Sequence, residues 1–376
     1  MKENLEQWLT LVDAVGLVLG ILLVFGLNRS LGKPLDSFLL ILLLGGLGAG
    51  TRSLALWGTE SQFAVLRMWC HVHFCVFAPL LILRGLHHLL ARKKNGSVAF
   101  AVPLLVLGLS MEGLYVFARR VEPFRLQLSR YELQSELLLG LEQPIHVVIL
   151  ADLQTDAIGG YEERVFHAID QEEADLLLLA GDYLQIQDEA ARASEREKLA
   201  RLFGTLEHKP RLGIFAVDGD IDEAEDSLAG TGVRCLKDET VKLGRRLQLM
   251  GLSLGGSRTE LNEDELKEIT RFGGLTIVLG HSPDFFLPVI RDRISYPALF
   301  VAGHTHGGQV VLPFGDPLLT LSELPPDYAR GGFFKAGETW MVLSRGVGME
   351  RGYAPRIRFN CPPELVVLDL FPATTQ

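Results

Sequence analysis

Ala298-Leu299-Phe300-Val301-Ala302-Gly303-His304-Thr305-His306-Gly307-Gly308 joins an unbroken apolar run to two imidazoles set among glycines. Five apolar residues in a row suit a strand buried on both faces, as in α/β layers. The glycines permit a tight backbone where the run stops, and two histidines one residue apart can address different ions. Working outward, the arrangement recurs. Apolar runs at 145–151, 175–180, 212–217 and 275–279 are followed by Asp152-Leu153-Gln154, Gly181-Asp182, Gly219-Asp220 and Gly280-His281. Ligands of α/β sheets bind outside the carboxyl ends of the strands, so these segments should converge on one crevice. A lone Gly-Asp is usually a turn and a lone His usually a packed core residue; five such elements in order are not accidental.

Around these runs the pattern alternates. Helices are expected at 160–171 and 188–206, and further strands at 247–252, 309–312, 341–344 and 364–370, with an edge strand near 125–133. Strands outnumber helices, which two sheets with helices outside them would accommodate. Carboxylates with imidazoles suit divalent metals of the Mn, Fe or Zn kind. A carboxylate shared by two cations makes a two-metal site, which clamps a phosphoryl oxygen and generates hydroxide at neutral pH.

The first third of the chain differs. Stretches 9–27, 38–57, 63–83 and 98–118 are each near the ~20 apolar residues needed to cross a bilayer. The first lacks a small-residue cleavage site, so anchoring is expected rather than secretion. Charge divides the same way. Residues 1–125 hold 12 Lys/Arg and 7 Asp/Glu, and the rest hold 24 and 39. That acidic remainder argues against a nucleic-acid binder, and four cysteines exclude a disulfide scaffold. Connectors after the first and third spans carry six basic residues against five on the other side, which favours an extracytoplasmic C-terminal domain of an inner-membrane protein. Asp13, Arg52 and Arg67 lie near span ends; Glu112 and His71–His73 are candidates for interhelical or headgroup contacts.

The five blocks resemble those of the calcineurin-like metallophosphoesterases, over about residues 122–370. Gly307 to Pro313, then Ser344-Arg345-Gly346-Val347-Gly348 and Pro363-Glu364-Leu365, look like the membrane-associated branch. That branch includes tethered phosphoesterases and enzymes cleaving the diphosphate of a UDP-linked acylated glucosamine. The resemblance implies a four-layer αββα sandwich (residues 144–376); the apolar stretches place it behind a four-helix transmembrane region (1–120) and a linker with an edge strand (121–143). It implies two divalent ions, Mn foremost, with Mg, Fe or Zn suited. Asp152, Asp182 and His306 would hold the first ion; His281 and His304 would join a bridging Asp182 on the second. Asp182, Asp220 and His281 would be central to catalysis.

Two blocks depart from the family pattern. Gln154 replaces a histidine, and Gly219-Asp220-Ile221 replaces Gly-Asn-His. Gln154 still offers a carbonyl oxygen, and Asp220 a carboxylate ligand in place of the amide. Ile221 replaces the imidazole thought to protonate the leaving group, a loss of on the order of 10²–10⁴-fold. The expectation is a phosphoester or diphosphate hydrolase, favouring leaving groups that depart without a proton and acting on a lipid-linked phosphate. The competing expectation is a degenerate site that binds metal or ligand as a sensor or scaffold. Asp156, Asp222 and Asp284 read as turn or cap residues, and Arg345 as either a phosphate contact or a structural salt bridge.

Overall fold

The computed structural model describes residues 62–90, 96–311, 313 and 316–373. The spans expected at 9–27 and 38–57, with Asp13 and Arg52, lie outside the described residues. Contacts divide the chain into two units, one up to Val121 together with Arg351–Arg356, the other Glu122–Glu350 with the residues from Ile357.

In the first unit, α1 (Gln62–Cys70) runs through a π-helical stretch, His71–Phe77, into α2 (Ala78–Leu90), and α3 (Gly96–Val116) follows. The helices Leu66–Leu90 and Ala101–Phe124 are long and apolar enough to cross a membrane. Leu83, Leu86, Leu89, Val106, Leu109 and Val116 are exposed on them, an apolar surface of a kind that marks a partner or lipid. His71 and His73 turn their Nδ1 atoms back to the carbonyls of Arg67 and Trp69 at 2.8 and 2.9 Å, as local helix contacts. Arg67 donates to the Gly352 carbonyl at 2.8 Å.

The second unit carries two six-stranded mixed sheets. In chain order its main elements are β1 (Gln127–Ser135), β2 (Ile145–Leu150), α4 (Gly160–Gln171), β3 (Leu176–Leu179), α5 (Glu189–Thr205), β4 (Ile214–Ala216), α6 (Ala224–Ser227), β5 (Arg234–Cys235), β6 (Glu239–Lys242) and β7 (Leu247–Gly251). Then come α7 (Leu254–Ser257), α8 (Glu263–Phe272), β8 (Leu275–Leu279), α9 (Leu287–Arg291), β9 (Ala298–Ala302), α10 (Pro326–Ala329), β10 (Gly332–Ala336), β11 (Thr339–Leu343) and β12 (Glu364–Pro372). One sheet has the order β1-β12-β2-β3-β4-β5 and the other β10-β11-β9-β8-β7-β6. The run β2–β5 is parallel, as is β7-β8-β9-β11.

Why the central strands read as continuous apolar runs is visible in their alternation. Val147, Ile149, Leu176 and Leu178 face Leu249, Ile277, Leu299 and Val301 across the gap between the sheets. Their neighbours Val148, Leu150, Leu177 and Leu179 pack outward on Phe166 of α4 and Leu199 and Phe203 of α5. On the far side Met250, Val278 and Phe300 pack on Ile269 of α8 and on Phe285, Phe286 and Val289. Period-2 geometry thus makes four layers, helix–sheet–sheet–helix. Caps define the helix ends: Asp188 accepts from the Ala191 N–H at 2.7 Å, and Asn262 and Glu265 form a reciprocal pair before α8. The described part of the strand expected at 309–312, residues 309–311, is not one. Val310 and Val311 make only isolated bridges, because the glycine-rich loop leaves no flat ladder to join.

Candidate metal centre

The parallel strands of both sheets deliver their carboxyl ends to one place. Asp152 follows β2, Asp182 follows β3, Asp220 follows β4, His281 follows β8 and His304 follows β9. The loops are knitted directly. The Asp152 N–H donates to the Gly181 carbonyl at 3.1 Å, the Gln154 N–H to the Asp182 carbonyl at 2.9 Å and the Gly303 N–H to the His281 carbonyl at 3.1 Å. Close approach explains two glycines: a Cβ at Gly219 would land on the Asp182 carboxylate, and one at Gly303 would come within 2.7 Å of Asp152 Oδ2. Ten described non-glycine residues have positive φ, and six of them (Asp152, Gln154, Asp182, His304, His306, Gln309) belong to these loops. Each costs about 1–3 kcal/mol, and such strain collects at functional sites.

Side chains form two donor groups. Asp152, Asp182 and His281 bring ligand atoms within 4.8 Å of one another, and so do Asp220, His281 and His304. His281 Nδ1 lies 2.8 Å from the Ala180 carbonyl, and His304 Nε2 lies 3.0 Å from the Leu321 carbonyl. A carbonyl only accepts, so each ring carries its hydrogen there. The remaining lone pairs, His281 Nε2 and His304 Nδ1, then face one another at 3.1 Å. Carboxylates surround them: Asp182 Oδ1 is 3.4 Å and Asp220 Oδ1 3.9 Å from His281 Nε2, and Asp220 Oδ2 is 3.5 Å from His304 Nδ1. Two lone pairs and two carboxylates without a hydrogen between them fit a cation. Ring nitrogens tied back to carbonyls are the usual support of a metal-bound histidine.

Electrostatics point the same way. Burial pushes the Asp152 carboxyl up to about 8, against the opposing pull of the His304 N–H and the Arg358 charge. Burial, then the charges of Asp220 and Asp152, hold Asp182 well above the carboxylate range. Burial, then His304, lowers His281 to about 3, so this imidazole is neutral at pH 7. Such costs are what a divalent ion reverses. Backbone donors offset part of them: the His304 N–H reaches both Asp152 oxygens, and the Asp220 and Ile221 N–H groups both donate to Asp182 Oδ1.

Other expected residues behave differently. His306 stands outside both groups; its Nδ1 faces Arg358 at 3.4 Å, and its buried Nε2 has no hydrogen-bond partner among the described residues. His281 is the side chain common to both groups, through the one lone pair on Nε2, and Asp182 Oδ1 lies 3.4 Å from that atom. The Gln154 amide donates to Glu350 at 3.1 Å and Gln185 at 3.4 Å. Asp222 accepts from the Tyr183 and Leu184 N–H groups and Asp284 from Ser282 and Ser322, both as loop ties. Arg345 pairs with the buried Glu364 at 3.0 Å, the structural alternative. Cys70, Cys235 and Cys361 are free thiols. Arg258, Glu350 and Arg358 also reach these residues, and no spacing in the sequence singled them out. The last is fully buried and donates to the carbonyls of Gly348, Arg345 and Cys361.

No family model matches the chain. It is 28% identical to the uncharacterized metallophosphoesterase YkuE of Bacillus subtilis, over 70% of this chain and 91% of that one. It is 26% identical to an uncharacterized metallophosphoesterase of Aquifex aeolicus, covering 66% and 94%. To the phosphodiesterase YaeI of Escherichia coli it is 27% identical, covering 60% and 82%. A fold of two mixed sheets, with acids and imidazoles at their strand ends, thus accompanies a similarity to proteins named metallophosphoesterases and phosphodiesterase, which supports a relationship to the calcineurin-like metallophosphoesterase superfamily.

Proposed function

We propose that the chain is a membrane-anchored, metal-dependent phosphoesterase whose catalytic unit is the two-sheet sandwich. The observation that carries the reading is the convergence of the His281 and His304 lone pairs, with the Asp182 and Asp220 carboxylates, on one point. Asp152, Asp182, Asp220, His281 and His304 would hold two divalent cations, with His306 and Gln154 at the periphery. Cations held there supply Lewis-acid polarisation of a phosphoryl group and a water-derived nucleophile at neutral pH. The protein's own part is orientation. Backbone N–H groups from both sheets fix Asp152 and Asp182, and the Ala180 and Leu321 carbonyls fix the two rings.

Ile221 offers no proton where a leaving group departs. Substrates whose leaving group needs none, an aryl ester or a diphosphate, are therefore favoured over alkyl esters. The exposed apolar helices support anchoring, and a tethered site favours a lipid-linked phosphate or diphosphate at the bilayer. The test is metal analysis of the full chain beside Mn-dependent hydrolysis of aryl and alkyl phosphate esters. Two bound ions with faster aryl turnover are expected. Preference for alkyl esters sinks the leaving-group argument, and bound metal without turnover returns the sensor or scaffold role.

A further inference from the structure

Three carboxylates at one site repel the anion that a phosphoesterase must bind, and no imidazole stands at position 221 to help. Two arginines reach the candidate ligands in different ways. Arg358 is enclosed, its guanidinium turned to the carbonyls of Gly348, Arg345, Gly346 and Cys361. Arg258 stands at the rim, its side chain 47% exposed, and its Nη2 meets Asp220 Oδ2 at 3.2 Å. Asp220 Oδ2 is itself 3.5 Å from His304 Nδ1. The position of Arg258 is built rather than incidental. It follows α7, whose Ser257 is fully buried and accepts from the N–H of Ser282, the residue after His281, at 3.2 Å. At the other end of α7 the Ser253 N–H donates to Asp238 at 2.8 Å. The segment carrying Arg258 is thereby pinned to the loop that carries His281.

We infer that Arg258 is the residue that binds the substrate's phosphoryl group, supplying at the rim the positive charge that Asp220 and Ile221 do not offer. The inference rests on the phosphoesterase reading. Asp220 would share its charge with bound cations, and the half-exposed Arg258 guanidinium would then be available to substrate. There it meets two phosphoryl oxygens in the bidentate geometry that suits arginine. It supplies charge and orientation and no proton, because a guanidinium does not titrate near neutrality. The preference for leaving groups that need no acid is thus unchanged.

The test uses the full chain loaded with Mn, inorganic phosphate as the probe, and the variants Arg258→Gln and Arg258→Lys. Calorimetry gives the Mn affinity, and competition against aryl phosphate turnover gives the phosphate inhibition constant. Arg258→Gln should raise that constant and the KM by on the order of 10–100-fold, the worth of hydrogen bonds to a charged group. It should leave Mn affinity equal or slightly tighter, since a cation that competes for Asp220 has gone. Arg258→Lys should fall between, keeping charge without the fork. An unchanged phosphate constant in Arg258→Gln overturns the inference and leaves Arg258 a salt-bridge partner of Asp220. Wild-type protein that binds no Mn overturns the phosphoesterase reading first, and this inference with it.

Discussion

The two donor groups share His281 yet differ in what surrounds them. Asp152, Asp182 and His281 are at most 1% exposed, the two carboxylates held by backbone N–H groups from both sheets and the ring by the Ala180 carbonyl. Asp220, His281 and His304 open to solvent through Asp220, whose side chain keeps 22% exposure and faces Arg258. One group is a dry pocket whose charges are costly without an ion. The other is a rim where charge is screened and a substrate can enter. The difference teaches that loss of a ligand should be felt as metal loss inside and as altered substrate handling outside.

The inner group should break first and hardest. Asp182→Asn removes a buried carboxylate while the Asp220 and Ile221 N–H groups still point at it. Metal affinity should drop by more than the ~10–100-fold that an outer-shell partner costs. Hydrolysis should fall below detection, read by calorimetry and by aryl phosphate turnover. Retained two-ion binding in this variant would mean that the inner group is not a metal site.

Ile221→His sharpens the rim side. An imidazole there should raise alkyl phosphate turnover by roughly 10²-fold while changing aryl turnover little, the signature of a restored general acid. Equal gains on both substrates would contradict the leaving-group argument. Asp220→Asn should act more gently, because its charge is partly solvated. Phosphate should inhibit up to about 5-fold more strongly once one rim charge is gone, in keeping with an exposed pair of ~1 kcal/mol, and Mn should bind somewhat more weakly.

The smallest effect is thermal. In the metal-free chain Asp152 titrates near 8 against an ordinary 3.8, so the folded state holds a proton that the unfolded chain has released across that window. Stability from this group therefore falls as pH rises from about 4 to about 8. His281, lowered from 6.5 to about 3, works oppositely below 6.5. Above 6.5 only the carboxyl trend remains. The melting temperature of the metal-free protein should fall between pH 6.5 and 8 by a few degrees, at up to ~1.4 kcal/mol per pH unit. Added Mn should reverse that trend, and a flat profile without metal would show that Asp152 is not held protonated.

Much of the sandwich was legible in the sequence because its central strands are buried on both faces. Leu275–Leu279 and Ala298–Ala302 run as β8 and β9 where the apolar runs stand, and Gly160–Gln171 is α4. The edge strands β5 and β6 were not legible. Arg234–Cys235 is only two residues long, and Glu239–Lys242 is half polar on a solvated margin, so neither carries a periodic signal. The apolar run at 309–312 misled for the opposite reason: hydrophobic residues packed in a loop look like a strand without a partner.

Sequence alone determined the donor inventory and its order, since acids and imidazoles that end apolar runs must come out at the carboxyl edge of parallel strands. It also determined what is missing at 154 and 221. Tertiary structure alone decided which donors share a point, that His281 stands in both groups, and that Arg258 stands at the rim. Those outcomes depend on side-chain rotamers, on ring hydrogens held by the Ala180 and Leu321 carbonyls, and on contacts between segments far apart in the chain. Linear spacing carries none of that, because hydrogen-bond direction exists only once both sheets are packed.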